Sequence, residues 1–502
     1  MAMRGFVRNF PPLNILSEED VESVHRGMLR VLWTTGVRIE HKRGLDVLES
    51  AGCKVDRDTN RVHMPPALVE ECIRRAPSSF SWRAKDPAKS LTMGGNTLYF
   101  APAPGQHTID LDTFEPRPAT RKEYYDAVRV LDYLPTLHFF TTYTPYFGYA
   151  GVPPCMGMLE SLAARLRNSS KAVVVGHSYN SERFAIQIAQ ALGIEVMGTC
   201  TAAPPLTYFE DAIDSAFSLS EAGMPVRITG APVMGASAPA TLAGSLVSNL
   251  VEVMSALVLV QTIRPGTRTM LLDFAMPMNM STGAPAFGNV AVCIHISAFN
   301  QVCRRYGIPT YNADGYPGSK RPDYQSAYEK SFRAIFTGLS GGSSRPLHGG
   351  VYGELSHSPL QAVLDDDIAG MVGRYLEGMS VTDETLALDL IEQVGPVPGH
   401  FLGQAHTRKW WKQEQYIPKS SDKLTYPEWL QSGKKSCIDY ARERMEDIIA
   451  THRPMPLTDR QEDDLERILE DAREHYRKTG RISSDEMTAY RAALVSGGPT
   501  SA

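Results

Sequence analysis

The first ninety or so positions carry a helical rhythm of apolar residues. SEEDVESVHRGMLRVLWTTG places Val21, Val24, Met28, Leu29 and Leu32 on one face, behind a Ser17-Glu-Glu start, and breaks at Gly36. That pattern predicts an amphipathic helix with a capped N-terminus. A second helix is expected around Gly44–Gly52, followed by the turn-rich stretch CKVDRDTNRVHMPP. Pro65-Pro66 then opens a third helix over ALVEECIRRAP, because proline suits the first turn of a helix.

From about residue 95 the pattern changes. β-rich runs occur at Leu98–Ala101, His138–Thr144, Ala172–Gly176, Gly198–Thr201, Val226–Gly230, Thr269–Phe274, Thr310–Asp314 and Ser343–His348. Helical segments separate most of them. SERFAIQIAQALG sets Phe184, Ile188 and Leu192 on one face, and PDYQSAYEKSFRAIFTGLSGG aligns Tyr328, Phe332, Ile335 and Leu339. Strands alternating with helices imply parallel strands and crossover helices. Seven of the runs recur every ~25–40 residues, the length of the unit in an eight-fold barrel of about 250 residues, and the run near Leu98 supplies the eighth strand. A doubly wound open sheet fits less well, because no strand runs into GxGxxG or GxxxxGK[ST]. The expected fold is α/β: a TIM (β/α)8 barrel over 95–364, an N-terminal helical region with a small β element over 1–94, and a C-terminal helical extension over 365–502. The tail DRQEDDLERILEDAREHYRKTGR is amphipathic, with charges paired four apart, and suits packing or subunit contact better than chemistry.

Composition narrows the function classes. The 502 residues are 43% apolar and 21% charged, an ordinary globular balance. A net charge of −5 gives no sign of a nucleic-acid surface. Near Val251–Leu259 the apolar run is interrupted by Glu252 and Ser255, so no membrane span is expected. The start MAMRGFVRNFPPLNILSEEDVE lacks the apolar core of a signal peptide. Seven scattered cysteines form no CxxC pair, so neither a disulfide scaffold nor a thiolate metal site is expected. A cytoplasmic location follows from these readings.

Barrel chemistry collects where strands end and loops begin. Those ends read Tyr143-Thr-Pro-Tyr-Phe147, His177, Thr201, Gly230 to Gly235, Asp273-Phe274, Asn312 to Asp314, and His348-Gly-Gly-Val-Tyr-Gly-Glu354. They hold no GxSxG, HExxH or recognisable carboxylate pair, and no metal site is expected. Asp365-Asp366-Asp367 reads as acids at a helix start, and Met270, Met276, Met278 and Met280 as irregular core or soft pocket lining. Aromatic rings with an occasional acid suit a quaternary ammonium, which has no N–H to donate and is held by ring faces.

Four blocks carry a resemblance to a known family. They are GVRIEHKRGLDVLESAGCKVD, GASAPATLAGSLVSNLVEVMSALVLVQTIRPG, YGIPTYNADGYPGSKRPDYQSAYEK, and the stretch from SHSPLQAVLDDDIAGMVGRYLEGM to GQAHT at 356–407. The chain resembles, over nearly its whole length, the trimethylamine methyltransferase family of corrinoid-dependent amine demethylases. The resemblance implies a TIM barrel that transfers a methyl group from an amine to the Co(I) corrinoid (cobalamin) of a partner protein. The trimethylamine enzymes use a pyrrolysine and this sequence has none, which points to glycine betaine or a related quaternary amine. Carnitine, proline betaine or a tertiary amine remain open as substrates. A barrel lyase or hydrolase, or a non-catalytic betaine-binding protein, remain open as functions.

For that chemistry His348, Asp314 and Glu354 are the catalytic candidates. Asn312, Tyr143, Phe147, Phe274, Tyr352 and His177 are substrate-binding candidates, and Gly349, Gly350 and Gly235 would let backbone approach the corrinoid. A betaine carboxylate needs donors from His348, the Gly349-Gly350 backbone, or an arginine. Alternation along PTYNADGYPGSKRPD sends Asn312 and Asp314 one way and Tyr311 the other; the first two are expected to face the pocket. Ser319, Lys320 and Arg321 lie farther out, better suited to anchoring the loop or to meeting the corrinoid protein. A homo-oligomer is also expected.

Overall fold

A computed structural model describes residues 4–496. Eight parallel strands form the barrel: β1 Thr97–Pro102, β2 Phe139–Phe140, β3 Ala172–Val174, β4 Val196–Thr201, β5 Val226–Gly230, β6 Thr269–Asp273, β7 Thr310–Asn312 and β8 Ser344–His348. From β2 to β8 each strand pairs in parallel with the next, and β8 returns to pair in parallel with β1. Every expected run is a barrel strand. The barrel helices are α1 Arg121–Tyr133, α2 Pro154–Asn168, α3 Glu182–Leu192, α4 Glu210–Glu221, α5 Leu242–Ile263, α6 Val290–Tyr306, α7 Tyr324–Leu339 and α8 Pro359–Glu377. The expected boundary at 364/365 falls inside α8.

The last seam, between β1 and β2, is closed largely by side chains. The His138 N–H donates to Phe100 O (2.8 Å), and the His138 ring Nδ1 accepts from Phe100 N–H (3.0 Å). Thr141 Oγ1 donates to Pro102 O (3.1 Å) farther along. Burial lowers the His138 pKa to about 4, so the ring stays neutral and Nδ1 remains an acceptor. Below the seam Phe6–Val7 adds an antiparallel pair to β1.

The bottom of the barrel is plugged. The hairpin Ser79–Trp82 and Leu91–Gly94 buries Phe80, Trp82, Leu91 and Met93 against Tyr99, Phe139, Val174, Met197 and Met270. Trp82 packs edge-on to Phe139 at 5.3 Å and its indole N–H donates to Glu195 O. Ligand space is therefore left only at the opposite end, where the strands finish.

The N-terminal helices Glu18–Thr34, Lys42–Ser50 and Pro66–Arg75 all pack on α5. Ser17 caps the first with a capping box through Asp20. By length and composition α5 could cross a membrane, which the sequence reading did not expect, yet most of it is buried between the barrel and these helices. That double-sided burial accounts for its largely apolar sequence. The small sheet Val37–Ile39, Lys54–Asp56 and Arg61–His63 receives Thr207–Tyr208 from the loop after β4. Glu252 of α5 anchors that loop by accepting from Leu206 N–H (3.1 Å).

At the other end, helices Cys437–Thr451 and Asp459–Lys478 lie over α1, α8, α2 and α3. Asp365, Asp366 and Asp367 sit inside α8, not at its start, and each ties a different neighbour. Asp365 takes the Lys330 ammonium (2.6 Å) and Gly349 N–H (2.8 Å). Asp366 takes Thr136 and Arg444, and Asp367 takes the Lys419 and Ser420 N–H groups. Met270 and Met276 are core, whereas Met280 is exposed.

Burial raises the Glu252 carboxyl to about 7, from an unfolded value near 4.5. Its contribution to stability is therefore full below about pH 4.5 and is lost as pH rises through 7. Denaturation midpoints at pH 6 and pH 8.5 should show Glu252→Gln with a smaller drop at the higher pH than the parent; an identical drop contradicts this.

Candidate functional site

A cavity of about 470 Å³ opens at the carboxyl ends of the strands, within the size range of small-molecule sites. Period-two alternation puts Thr199 and Thr201 of β4, Arg227 and Thr229 of β5, Leu272 and Phe274 at the end of β6, and Tyr311 and Ala313 at the end of β7 on its wall. In register, Thr201, Thr229, Leu272 and Tyr311 form one layer, with Arg227 in the layer beneath. The loops add Thr141, Thr142, Tyr143 and Phe147, then His177 and Ser178, and finally Phe209, Tyr316 and Glu354, with Asp211 from the first turn of α4.

Two ring pairs face the cavity. Tyr143 and Phe147 lie 4.7 Å apart, and Phe274 and Tyr316 lie 5.3 Å apart. Phe209 is half exposed at the rim. His177 Nδ1 meets Asp211 Oδ2 at 3.2 Å, which lowers the Asp211 pKa.

Arg227 is the decisive side chain. It is buried, its guanidinium carbon lies 4.8 Å from the centroid of the Tyr311 ring, and Nη2 donates to Thr142 Oγ1 (3.1 Å). Nε and Nη1 have no hydrogen-bond partner. Burial works against its charge and lowers its pKa. A buried cation with free donors is costly unless an anion reaches it. Glu354 is the carboxyl whose field it feels, but that carboxyl is held by Tyr316, and burial raises its pKa. Glu354 owes its position to backbone pairing: Gln106 N–H donates to Glu354 O, and Gly353 N–H to Pro317 O.

Of the residues singled out in the sequence, Tyr143, Phe147, Phe274, His177 and Glu354 line this cavity. The others face elsewhere. Alternation between Tyr311 and its neighbours holds, but with the opposite sense: Tyr311 faces the cavity, while Asn312 and Asp314 point out to the helices. Asn312 exchanges two bonds of 3.1 Å with Asn300 of α6. Asp314 accepts from Thr337 of α7 (2.7 Å) and pairs with Arg345 (3.3 Å).

His348 is outside the barrel as well. Its Nε2 meets Thr136 Oγ1 at 2.9 Å; that hydroxyl donates to Asp366, so His348 is the donor. Burial lowers its pKa to about 3. Tyr352 lies under the Lys320 ammonium, away from the cavity wall. Gly349 and Gly350 allow the β8 loop to pass His357 and Ala103, where a Cβ would collide, and Gly235 takes a left-handed turn before α5. None of the three glycines lines the cavity.

The sequence reading left out Arg227, Tyr316 and Phe209. One signal was available for Arg227: VRITG reads as a buried parallel strand, and an arginine inside one needs an interior reason.

The sequence profile of the trimethylamine methyltransferase family matches residues 1–475. A glycine betaine methyltransferase of Desulfitobacterium hafniense strain Y51 is 30% identical over 463 residues, covering 89% of this chain and 94% of that protein. A trimethylamine methyltransferase of Desulfitobacterium hafniense strain DSM 10664 / DCB-2 is 27% identical, covering 92% of this chain and 94% of that one. The solved monomethylamine methyltransferase of Methanosarcina barkeri matches the fold with a TM-score of 0.52 at 13% identity, covering 86% of this chain and 88% of that one.

Arg227 and the Tyr316 hydroxyl both hold the Glu354 pKa down against burial. Carbon-13 NMR titration of labelled glutamate should therefore find the Glu354 pKa higher in Tyr316→Phe and in Arg227→Met than in the parent. A fall in either variant contradicts this arrangement.

Proposed function

We propose, from the premise that this chain belongs to the trimethylamine methyltransferase family, that it takes a methyl group from a zwitterionic quaternary amine, with glycine betaine the foremost candidate. The observation that carries this reading is Arg227: a guanidinium at the base of an aromatic-walled cavity, with two donor nitrogens unpartnered. A carboxylate fits those donors, and a planar guanidinium is the side chain best shaped to receive one. The positive end of the substrate would then lie higher, between Tyr143 with Phe147 and Phe274 with Tyr316. Each ring face contributes about 0.5–2 kcal/mol to holding a cation. The Glu354 carboxyl adds an acceptor for positive charge on the same wall.

The methyl acceptor in this reading is the Co(I) corrinoid of a partner protein, which supplies the nucleophile for the transfer. The cavity suits such an acceptor because it opens at the strand ends, where His177, Asp211 and Phe209 form a partly exposed rim. With the carboxylate held at the floor, the N-methyl groups point toward that opening. A quaternary ammonium leaves as a neutral tertiary amine, so no side chain needs to supply a proton. The work of the chain is orientation and exclusion of water, which together account for much of a displacement barrier. Glu354 stays a charge partner for the ammonium, and Arg227 fixes the depth of the substrate.

Calorimetry and a methyl-transfer assay read by corrinoid absorbance test this reading. Arg227→Met should weaken glycine betaine binding by roughly ten- to a hundredfold, the ~1.5–3 kcal/mol of a charged hydrogen bond. Binding of choline, which has the same cation without the carboxylate, should change little. Phe274→Ala should weaken both. Transfer from trimethylamine but not from glycine betaine, carnitine or proline betaine would sink the proposal.

A further inference from the structure

None of residues 377–419 is buried. The stretch leaves the body at the end of α8 and returns where Arg374 Nε donates to Gln413 O (3.1 Å). Between those points it carries large apolar side chains in solvent: Met379 (80% exposed), Val381, Leu386, Leu388, Ile391, Val397 (93%), Phe401 and Leu402 (87%). It also holds two short helices, Asp383–Leu386 and Leu388–Val394, with no buried residue in either. Helices this short are not stable in water on their own and need a surface to lie on. Neither composition nor conformation here is that of a free loop.

The same chain offers an uncovered surface. On the outer face of α7, Tyr324 (84% exposed), Tyr328, Phe332 and Ile335 form an apolar stripe at helical spacing. Charge also matches. Asp383, Asp389 and Glu392 of the arm are acidic, with Glu384 paired to Lys409, and no lysine or arginine lies between Arg374 and Arg408, while Lys320 and Arg321, the latter beside Asp323, stand just before α7.

We propose that the arm 379–404 of one copy covers the α7 face of a second copy, and that the second copy's arm does the same in return. A two-fold pair satisfies both surfaces with one contact repeated. Eight apolar side chains at on the order of 100 Å² each reach the roughly 800 Å² per partner that a stable interface buries. Position argues against the methyl-accepting partner as the occupant. The arm is rooted at the C-terminal end of α8, the end of the barrel where strands begin, whereas the cavity opens where strands finish.

Light scattering behind size exclusion, on the full chain at ~10 µM, tests this without reference to activity. The parent should run as a dimer or an assembly of dimers. An arm variant, Leu388→Glu with Leu402→Glu, and a face variant, Tyr328→Glu with Phe332→Glu, should each run smaller. All substituted side chains are exposed, and circular dichroism checks their fold. Mixing the two variants should restore pairs, because the intact arm of one meets the intact face of the other. In the parent, hydrogen exchange should find 383–394 protected when concentrated and unprotected on dilution. A monomeric parent, an assembly that survives both variants, or unprotected arm helices at high concentration would overturn the proposal.

Discussion

Closing eight parallel strands into a ring fixes the interior of this protein, and the closure depends on a histidine. Where β1 meets β2, the neutral His138 ring takes the place of a strand partner for Phe100. Once the ring is shut, every second side chain of each strand is enclosed. The lower layers are filled by rings, methionines and the Trp82 hairpin, and the upper layers are left open. Arg227 sits at the boundary between the two. The proposed carboxylate site rests on that cation and its two free donors.

The same alternation decides which polar residues serve the site and which serve the scaffold. Asp273 and Asn312 are in register on neighbouring strands and both turn outward. Asp273 meets His295 and Asn249, Asn312 meets Asn300, and Asp314 meets Thr337. His348 and Asp366 join the barrel to the loop before β2 through Thr136. These are buried links between strands and the elements packed around them. The cavity wall, by contrast, is largely rings and threonines, with one arginine, one glutamate and the His177–Asp211 pair.

Much of this was legible in the sequence. All eight strands, the barrel and the aromatic strand ends were visible in spacing alone, because period-two and period-3.6 patterns survive without tertiary information. What alternation cannot supply is its sign. Around Asn312 it groups residues correctly but does not say which group faces in, since that depends on register with β6 and β8. For His348 the misleading feature was its setting: a histidine before two glycines resembles a ligand loop, yet the glycines let the chain pass His357 and Ala103. The exposure of Met379 to Leu402 was not legible either, since apolar residues in a helical C-terminal region imply packing and say nothing of which chain supplies it.

A crystal structure with glycine betaine bound tests the central claim most directly. The carboxylate should lie within hydrogen-bond distance of Arg227 Nε and Nη1, with the trimethylammonium group between the Tyr143–Phe147 and Phe274–Tyr316 pairs and its methyl groups toward the opening. A carboxylate turned toward the mouth, with the Arg227 donors satisfied by water or by protein, would contradict it.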